Sequence, residues 1–196
     1  MVHLRLATIA DIPAILDIAN WYAANTPANF AVIPEPLSMW EQAWREHHER
    51  YAWLVAQRAA PDEHAGPLIV GFAKASPFRV RCAYNWTIET TVYLRPGWPG
   101  RGIGRDLYER LLAISRRQGY RKAIGGITLP NPPSVGLHER FGFRHVGTLC
   151  RVGWKFGQWH DVGFWELELD GGDTMEPVET IALVDEATAK MPPGAS

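Results

Sequence analysis

The chain has 196 residues, of which 46% are hydrophobic and 21% charged, a composition that is typical of a folded globular protein and excludes wholesale disorder. Its length predicts one domain, and the near balance of 20 basic and 21 acidic residues (net charge -1) gives no global field to recruit nucleic acid or a membrane surface. The only cysteines, Cys82 and Cys150, form neither a disulfide scaffold nor a CxxC metal or redox motif, so we expect a cytoplasmic protein. Asp11 interrupts the apolar stretch near the N-terminus, and we expect neither a signal peptide nor a membrane-spanning helix there.

Hydrophobic periodicity divides the chain into alternating helical and extended segments. In the first half we predict, in order, a strand at 3–7, a helix from after Asp11 to about Asn25, a helix from Ser38 to about Arg50, and strands at 52–57 and 68–76. In the second half we predict a strand at 84–94, a helix at 101–118, a strand at 122–128, a short helix at 134–140, and strands at 145–155 and 162–169. This order indicates an α/β (α+β) domain over residues 1–169, with a mixed central sheet of about seven strands flanked by four helices. Residues 170–196 are predicted to be an appended tail that is partly ordered at most.

A glycine-rich loop, Gly100-Arg101-Gly102-Ile103-Gly104-Arg105, joins a predicted strand to the long predicted helix. Glycines at alternate positions remove Cβ atoms and let a ligand approach the backbone N–H groups at the start of the helix, which suits phosphate. A tight turn without a ligand is the alternative for this loop taken alone. The chain has neither GxxxxGK[ST] nor GxGxxG followed by an acidic residue about 20 positions on, which argues against a P-loop and a dinucleotide site.

Five segments of the chain resemble, in the right order, the phosphinothricin and methionine sulfoximine acetyltransferases of the GNAT superfamily of N-acetyltransferases. They are NTPANF (25–30), YNWTIETTVYL (84–94), GRGIG (100–104), LPNPPSVGLHERFGF (129–143) and GWKFGQWHDVGFWELEL (153–169). The resemblance covers about residues 4–169 and implies the GNAT fold, with transfer of an acetyl group from acetyl-CoA to the amino group of a small amino acid or analogue. One departure is Pro99, where the superfamily commonly has Gln or Arg as a donor to the pyrophosphate. Arg101 and the loop N–H groups are expected to offset that loss.

The resemblance implies that acetyl-CoA, as a co-substrate and without a metal, lies along the strand and the loop. A backbone N–H near Val92 would stabilise the oxyanion, and Leu94 would continue strand-like pairing with the pantetheine. For the segment that contains Val92 and Leu94, the alternative is an ordinary central strand that pairs with protein on both edges. For Asn131 and Ser134, the alternative is a simple turn with an N-cap and no ligand. The predicted cofactor-binding residues are Val92, Tyr93, Leu94, Gly100, Arg101, Gly102, Ile103, Gly104, Arg105, Asn131 and Ser134.

Acyl transfer to an amine requires an unprotonated nucleophile, a stabilised oxyanion and a proton for the departing thiolate. Glu89 lies in the apolar segment WTIETTVYL, where desolvation raises a carboxyl pKa, and the resemblance implies that it is the base. A solvent-facing glutamate on an edge strand is the alternative. The resemblance points to His138 as the proton donor to the departing thiolate, at a position where many superfamily members have a tyrosine. The alternative is a histidine that only packs and hydrogen-bonds on a short helix.

The acceptor is expected to be a small amine that resembles an amino acid. Arg79 and Arg81 precede the catalytic strand, where relatives bind substrate, and a guanidinium there suits a carboxylate or phosphinate. The alternative is that both arginines lie on the protein surface and do not bind substrate. The predicted substrate-binding residues are Phe30, Phe78, Arg79, Val80, Arg81, Thr90 and Thr91. Gly125 and Gly126 stand where bulkier aliphatic residues are expected, and extra room near the acyl group is one hypothesis, tested by whether propionyl-CoA is accepted as well as acetyl-CoA.

A different class of function, a catalytically silent acyl-CoA-binding or sensing module, also predicts coenzyme A binding. Turnover that depends on Glu89 separates the enzyme from this module. The resemblance further implies a homodimer, for which the Trp-rich segment GWKFGQWHDVGFW offers apolar area, with core packing as the alternative. No metal site is predicted, because His47 and His48 are adjacent and do not share a helix face.

Overall fold

In the described part of the chain, seven strands and four helices follow one another in the predicted order. The computed structural model describes residues 2–59, 66–171, 176–178, 181–182 and 184. The elements are β1 (Val2–Leu6), α1 (Ile12–Asn25), α2 (Leu37–His47), β2 (Trp53–Arg58), β3 (Leu68–Pro77), β4 (Thr87–Leu94), α3 (Ile103–Gln118), β5 (Lys122–Leu129), α4 (Pro132–Arg140), β6 (Arg144–Lys155) and β7 (Gln158–Glu168). The predicted mixed α/β fold is therefore confirmed, with some element ends displaced by a few residues.

The displaced ends have local causes. The strand predicted from Tyr84 begins at Thr87 because Cys82–Tyr84 form a single 3-10 turn. The helix predicted from Arg101 begins at Ile103 because Gly102 adopts φ 78°, a left-handed conformation outside the helical region. The last strand begins at Gln158 rather than at residue 162, because a tight turn joins it directly to β6 as a hairpin.

The strands form one sheet in the order β1-β2-β3-β4-β5-β7-β6. Every neighbouring pair is antiparallel except β4 and β5, which run parallel. The β4–β5 contact is short: it consists of Thr87 with Lys122, Ile88 with Ala123, and Glu89 with Ile124. Because β3 pairs with β4 as far as Leu94, the C-terminal half of β4 is paired on one edge only among the described residues.

Each face of the sheet carries its own hydrophobic cluster. Trp53, Val55 and Phe72 pack with α1 and α2 on one face. Leu54, Ala56 and Ala73 pack with α3 on the other. This alternation follows from the two-residue period of side chains along a strand. On β4 the same period places Tyr93 and Glu89 on the face of α1 and α2.

Parts of the predicted tail contact the domain. Ile181 is buried in the α3 cluster, and the Trp86 indole Nε1 donates to the Val178 carbonyl at 2.8 Å. Most of residues 170–196 lie outside the described residues, so the predicted extent of order in the tail stays a prediction. Within the described part of the chain, none of the helices is long and apolar enough to cross a membrane.

Candidate active site

A cavity of about 630 Å³ lies where β4 and β5 diverge. Its walls come from β3, β4, β5, the glycine loop, α4, and α1 and α2 with the segment between them. The cavity brings together fourteen of the predicted catalytic, cofactor-binding and substrate-binding residues. They are Phe30, Glu89, Thr90, Thr91, Val92, Tyr93, Leu94, Gly100, Gly102, Gly104, Arg105, Asn131, Ser134 and His138.

The backbone of β4 presents an unpaired edge to this cavity. The Arg95 N–H donates to the Val70 carbonyl at 2.8 Å, which fixes the register of the antiparallel β3–β4 ladder. Since hydrogen-bonded and non-hydrogen-bonded pairs alternate in such a ladder, the N–H and C=O groups of Val92 and Leu94 point away from β3. Among the described residues no β4–β5 pair follows Glu89–Ile124. The Leu94 carbonyl accepts from the Tyr22 hydroxyl at 3.0 Å, and the Val92 N–H faces the opening.

The glycine loop ends this edge at the N-terminus of α3. Gly100 and Gly102 adopt φ 80° and 78°, which side chains rarely tolerate. Gly102 is the N-cap of a 16-residue helix, whose first N–H groups have no intrahelical acceptor and lie at the positive end of the helix dipole. Gly100, Gly102, Gly104 and Arg105 all line the cavity, so this end suits a pyrophosphate.

Two predicted cofactor residues point elsewhere. The Arg101 guanidinium stacks on the Trp98 ring at 4.9 Å and lines a separate cavity of about 410 Å³ beside β1. Ile103 is buried in the α3 cluster, because the apolar stripe of the helix begins at this residue. The loop therefore offers the main cavity its backbone and Arg105 rather than Arg101.

Glu89 is half-buried and faces the cavity. Burial raises the pKa of its carboxyl above the ordinary glutamate value, while the positive charges of Arg79 and Lys74 oppose this shift. A carboxylate in such surroundings is a stronger proton acceptor than an exposed glutamate.

His138 is 4% exposed and its ring lies against Tyr108 and Phe143. Its Nδ1 lies 2.8 Å from the Ser134 carbonyl, which only accepts, so Nδ1 carries the proton in the neutral ring. Nε2 is then a lone-pair acceptor, buried and without a hydrogen-bond partner among the described residues. Burial lowers the pKa of the ring, and donation to a thiolate would require the imidazolium.

The two adjacent glycines of β5 have different neighbours. A Cβ on Gly125 would lie 2.5 Å from the Nε2 atom of His138, so this glycine makes room for the imidazole. A Cβ on Gly126 would lie 3.5 Å from the Glu89 Oε1 atom, in ordinary contact, and Gly126 lines the cavity. The room predicted from this pair is therefore open to a ligand only at Gly126.

The predicted substrate residues divide between the cavity and the surface. Thr90 lines the cavity but bonds to the Tyr108 hydroxyl at 2.7 Å and the Ile124 carbonyl at 3.2 Å, so its hydroxyl is already occupied. Val80 is 100% exposed. Arg79, which stacks on Phe78 at 4.4 Å, and Arg81 are also exposed. Phe78, Arg79, Val80 and Arg81 do not line the cavity within the described part of the chain.

Sequence reasoning missed a group of cavity residues on the face of α1 and α2. They are Tyr22, Asn29, Glu35, Trp40 and Lys74. The Lys74 ammonium lies 4.5 Å from the ring centroid of Trp53 and 5.0 Å from that of Trp40. A signal was present: Lys74 is the only charged residue in the apolar strand LIVGFAKASP. Among the described residues no group of three or more potential metal ligands is present.

Comparison with known proteins extends these observations. The sequence model of the Acetyltransferase (GNAT) family matches residues 15–143. The chain is 37% identical to phosphinothricin N-acetyltransferase from Streptomyces viridochromogenes over 183 residues, 93% of this chain and 96% of the relative. It is 36% identical to L-methionine sulfoximine/L-methionine sulfone acetyltransferase from Pseudomonas aeruginosa, over 85% of this chain and 94% of that one.

A solved structure shares the architecture. The phosphinothricin acetyltransferase of Sinorhizobium meliloti, crystallised in complex with acetyl-CoA, superposes with a TM-score of 0.80 at 32% identity. The match covers 92% of this chain and 95% of that structure.

Proposed function

This chain belongs to the GNAT acetyltransferase family and is an acetyl-CoA-dependent N-acetyltransferase; from that premise we propose that its acceptor is the amino group of a small amino acid or analogue of the phosphinothricin or methionine sulfoximine type. The observation that carries the proposal is the unpaired edge of β4, which opens on the same cavity as Glu89 and the N-terminus of α3.

Acetyl-CoA, which supplies an activated acetyl thioester when bound, fits the backbone groups along this side of the cavity. The Val92 N–H would donate a hydrogen bond to acetyl-CoA beside the thioester group. The first N–H groups of α3, which have no intrahelical acceptor, would donate to the pyrophosphate. The Arg105 guanidinium pairs with the Asp106 carboxylate at 2.8 Å, and its remaining N–H groups would add charge-assisted contacts to the pyrophosphate. Asn131 Oδ1 accepts from the Ser134 N–H at 3.3 Å and caps α4, which leaves the Asn131 amide nitrogen and the Ser134 hydroxyl for pantetheine.

The residues of the cavity divide the chemistry among them. Glu89 accepts the proton of the acceptor ammonium, directly or through a water, and its raised pKa suits this role. The Val92 N–H faces the position where negative charge develops on the acetyl oxygen. His138 donates to the departing thiolate once its ring is protonated, and in the neutral ring its Nε2 is a second proton acceptor.

An acceptor panel tests the proposal. Release of coenzyme A thiol from acetyl-CoA is measured with phosphinothricin, methionine sulfoximine, methionine sulfone and the common amino acids, and with a polyamine and an aminoglycoside as contrasting amines. We expect turnover with amino-acid-like acceptors that is lost in Glu89→Gln. Tight binding of coenzyme A in calorimetry with no stimulation by any amine would instead identify a silent binding module.

We also propose a homodimer. In the β6–β7 hairpin, Trp154, Phe156 and Trp159 are each 56% exposed, whereas Trp165 in the same strand pair is buried. Core packing thus accounts for Trp165 alone, and the exposed rings provide an apolar surface for a second copy. Sedimentation equilibrium should give a dimer for the native chain and a monomer for Trp154→Ser/Trp159→Ser, and a native monomer would refute the proposal.

A further inference from the structure

Lys74 is a charged residue in the middle of β3, and its side chain lines the cavity on the face of α1 and α2. Its ammonium lies over the rings of Trp40 and Trp53. Within the described part of the chain, Nζ makes no hydrogen bond and no ion pair. The Glu35 carboxylate lies nearby, but it is engaged by the Trp40 indole Nε1 at 3.1 Å.

Burial lowers the pKa of the Lys74 amino group, while the negative charges of Glu35 and Glu89 oppose this shift and favour the ammonium form. Withdrawing an ammonium group from water is costly unless an anion or a set of acceptors replaces the water. Contact with two indole faces recovers part of that cost, since an aromatic face attracts a cation. An anionic oxygen group that enters the cavity would recover the rest.

The position of Lys74 relative to Glu89 defines the shape of a suitable ligand. In the β3–β4 ladder Lys74 is opposite Thr91, and Ser76 is opposite Glu89, so Lys74 and Glu89 are diagonal neighbours on one face. Diagonal neighbours are about 7–8 Å apart between Cα atoms. The two side chains carry opposite charges, yet they form no ion pair. A ligand bound between them would meet Lys74 with an acid group and Glu89 with an amino group, which in an α-amino acid are attached to the same carbon.

We propose that Lys74 binds the α-carboxylate of the acceptor and thereby directs its amino group toward Glu89. This inference rests on the proposed function and specifies how the same site selects its substrates. Arg79 and Arg81, the cations that the sequence suggested for this role, are exposed and lie outside the cavity lining, although the positive charge of Arg79 is close enough to Glu89 to oppose the rise of its pKa. Lys74 is accordingly a determinant of specificity for amino acids over simple amines.

The test compares an amino acid that has a neutral side chain with its own α-carboxamide. The best such acceptor from the panel is used, so that the α-carboxylate is the only anionic group and a side-chain phosphinate plays no part. For each protein we measure the ratio of kcat/KM for the acid to kcat/KM for the amide. Lys74→Met, which retains an apolar stem of similar length, is expected to lower this ratio by about 10- to 100-fold, mainly through KM of the acid.

Three further variants make the result specific. Lys74→Arg keeps the charge and should retain most of the ratio. Arg45→Met removes one positive charge from the exposed surface of α2, where Arg45 pairs with Glu41, and should leave the ratio unchanged. Lys74→Gln is the second neutral variant, and coenzyme A affinity reports that each variant is folded.

The outcomes separate the two proposals. No turnover by the native chain with any amine refutes the proposed function itself. Native turnover together with an unchanged acid-to-amide ratio in both Lys74→Met and Lys74→Gln refutes the role of Lys74 and leaves the function standing.

Discussion

Replacing Gly125 with alanine tests the packing that holds His138 in the site. The new Cβ would lie 2.5 Å from Nε2 and 2.6 Å from Cδ2 of the imidazole, whereas ordinary contacts begin at 3.4 Å. The ring must therefore move by about 1 Å, against its hydrogen bond to the Ser134 carbonyl. The backbone at Gly125 is not left-handed, so the whole cost is steric. Overpacking of this kind costs about 1–3 kcal/mol.

Thermal unfolding provides the measurement. For a chain of this size, a loss of about 1–3 kcal/mol lowers Tm by roughly 2–12 °C. Gly126→Ala is the matched control, because its Cβ meets only ordinary contacts at 3.5 Å and should change Tm little. In a His138→Ala background the cost of Gly125→Ala should disappear, since the ring is gone. Equal Tm values for the two glycine variants, or an undiminished cost in that background, would refute the reasoning.

Three other predictions follow from the site. Glu89→Gln should lower kcat by about 10²–10⁴-fold in the thiol-release assay while calorimetry shows unchanged coenzyme A affinity; an activity near that of the native chain would exclude Glu89 as the base. Because burial raises the pKa of Glu89 and the base must be ionised, kcat/KM should fall as pH decreases through a value above the ordinary glutamate pKa, and an acid limb at the ordinary value would contradict this. Lys155 donates to the carbonyls of Ala23 and Asn29, so Lys155→Met should lower the free energy of unfolding in urea by at least about 1.5–3 kcal/mol, whereas Arg45→Met, which removes one exposed ion pair, should cost about 0.5 kcal/mol or less.

The order of elements and the geometry of the β4 edge and the glycine loop were predictable because both are local in sequence. Helical and extended periods, together with Pro and Gly, determine the sequence of strands and helices. The edge at Val92 and the turn at Gly102 lie within one strand–loop–helix unit. Their relative placement therefore follows from a single segment of chain.

The side of the cavity lined by Lys74 and Trp40 was less predictable because it is assembled across the sheet. Lys74 reaches the cavity from β3 and Trp40 from α2, and only the β2–β3–β4 register brings them to the face of Glu89. Side-chain direction was the second difficulty. Arg101 shares the loop with the residues that line the main cavity, but its guanidinium stacks on Trp98 and points to a different cavity.

The short contact between β4 and β5 has a consequence for the mechanics of the whole molecule. Strands β1 to β4 and strands β5 to β7 form two half-sheets. Among the described residues, the β4–β5 ladder that joins them consists of the three residue pairs that end at Glu89, and the Trp86 carbonyl just before it accepts from the Arg121 and Lys122 N–H groups. The pantetheine of acetyl-CoA, bound along the unpaired part of β4, would act as an extra strand between the two half-sheets. Binding of acetyl-CoA would therefore also stabilise the contact between them. At a coenzyme A concentration 100 times its Kd, this linkage amounts to about 2.7 kcal/mol of added resistance to unfolding.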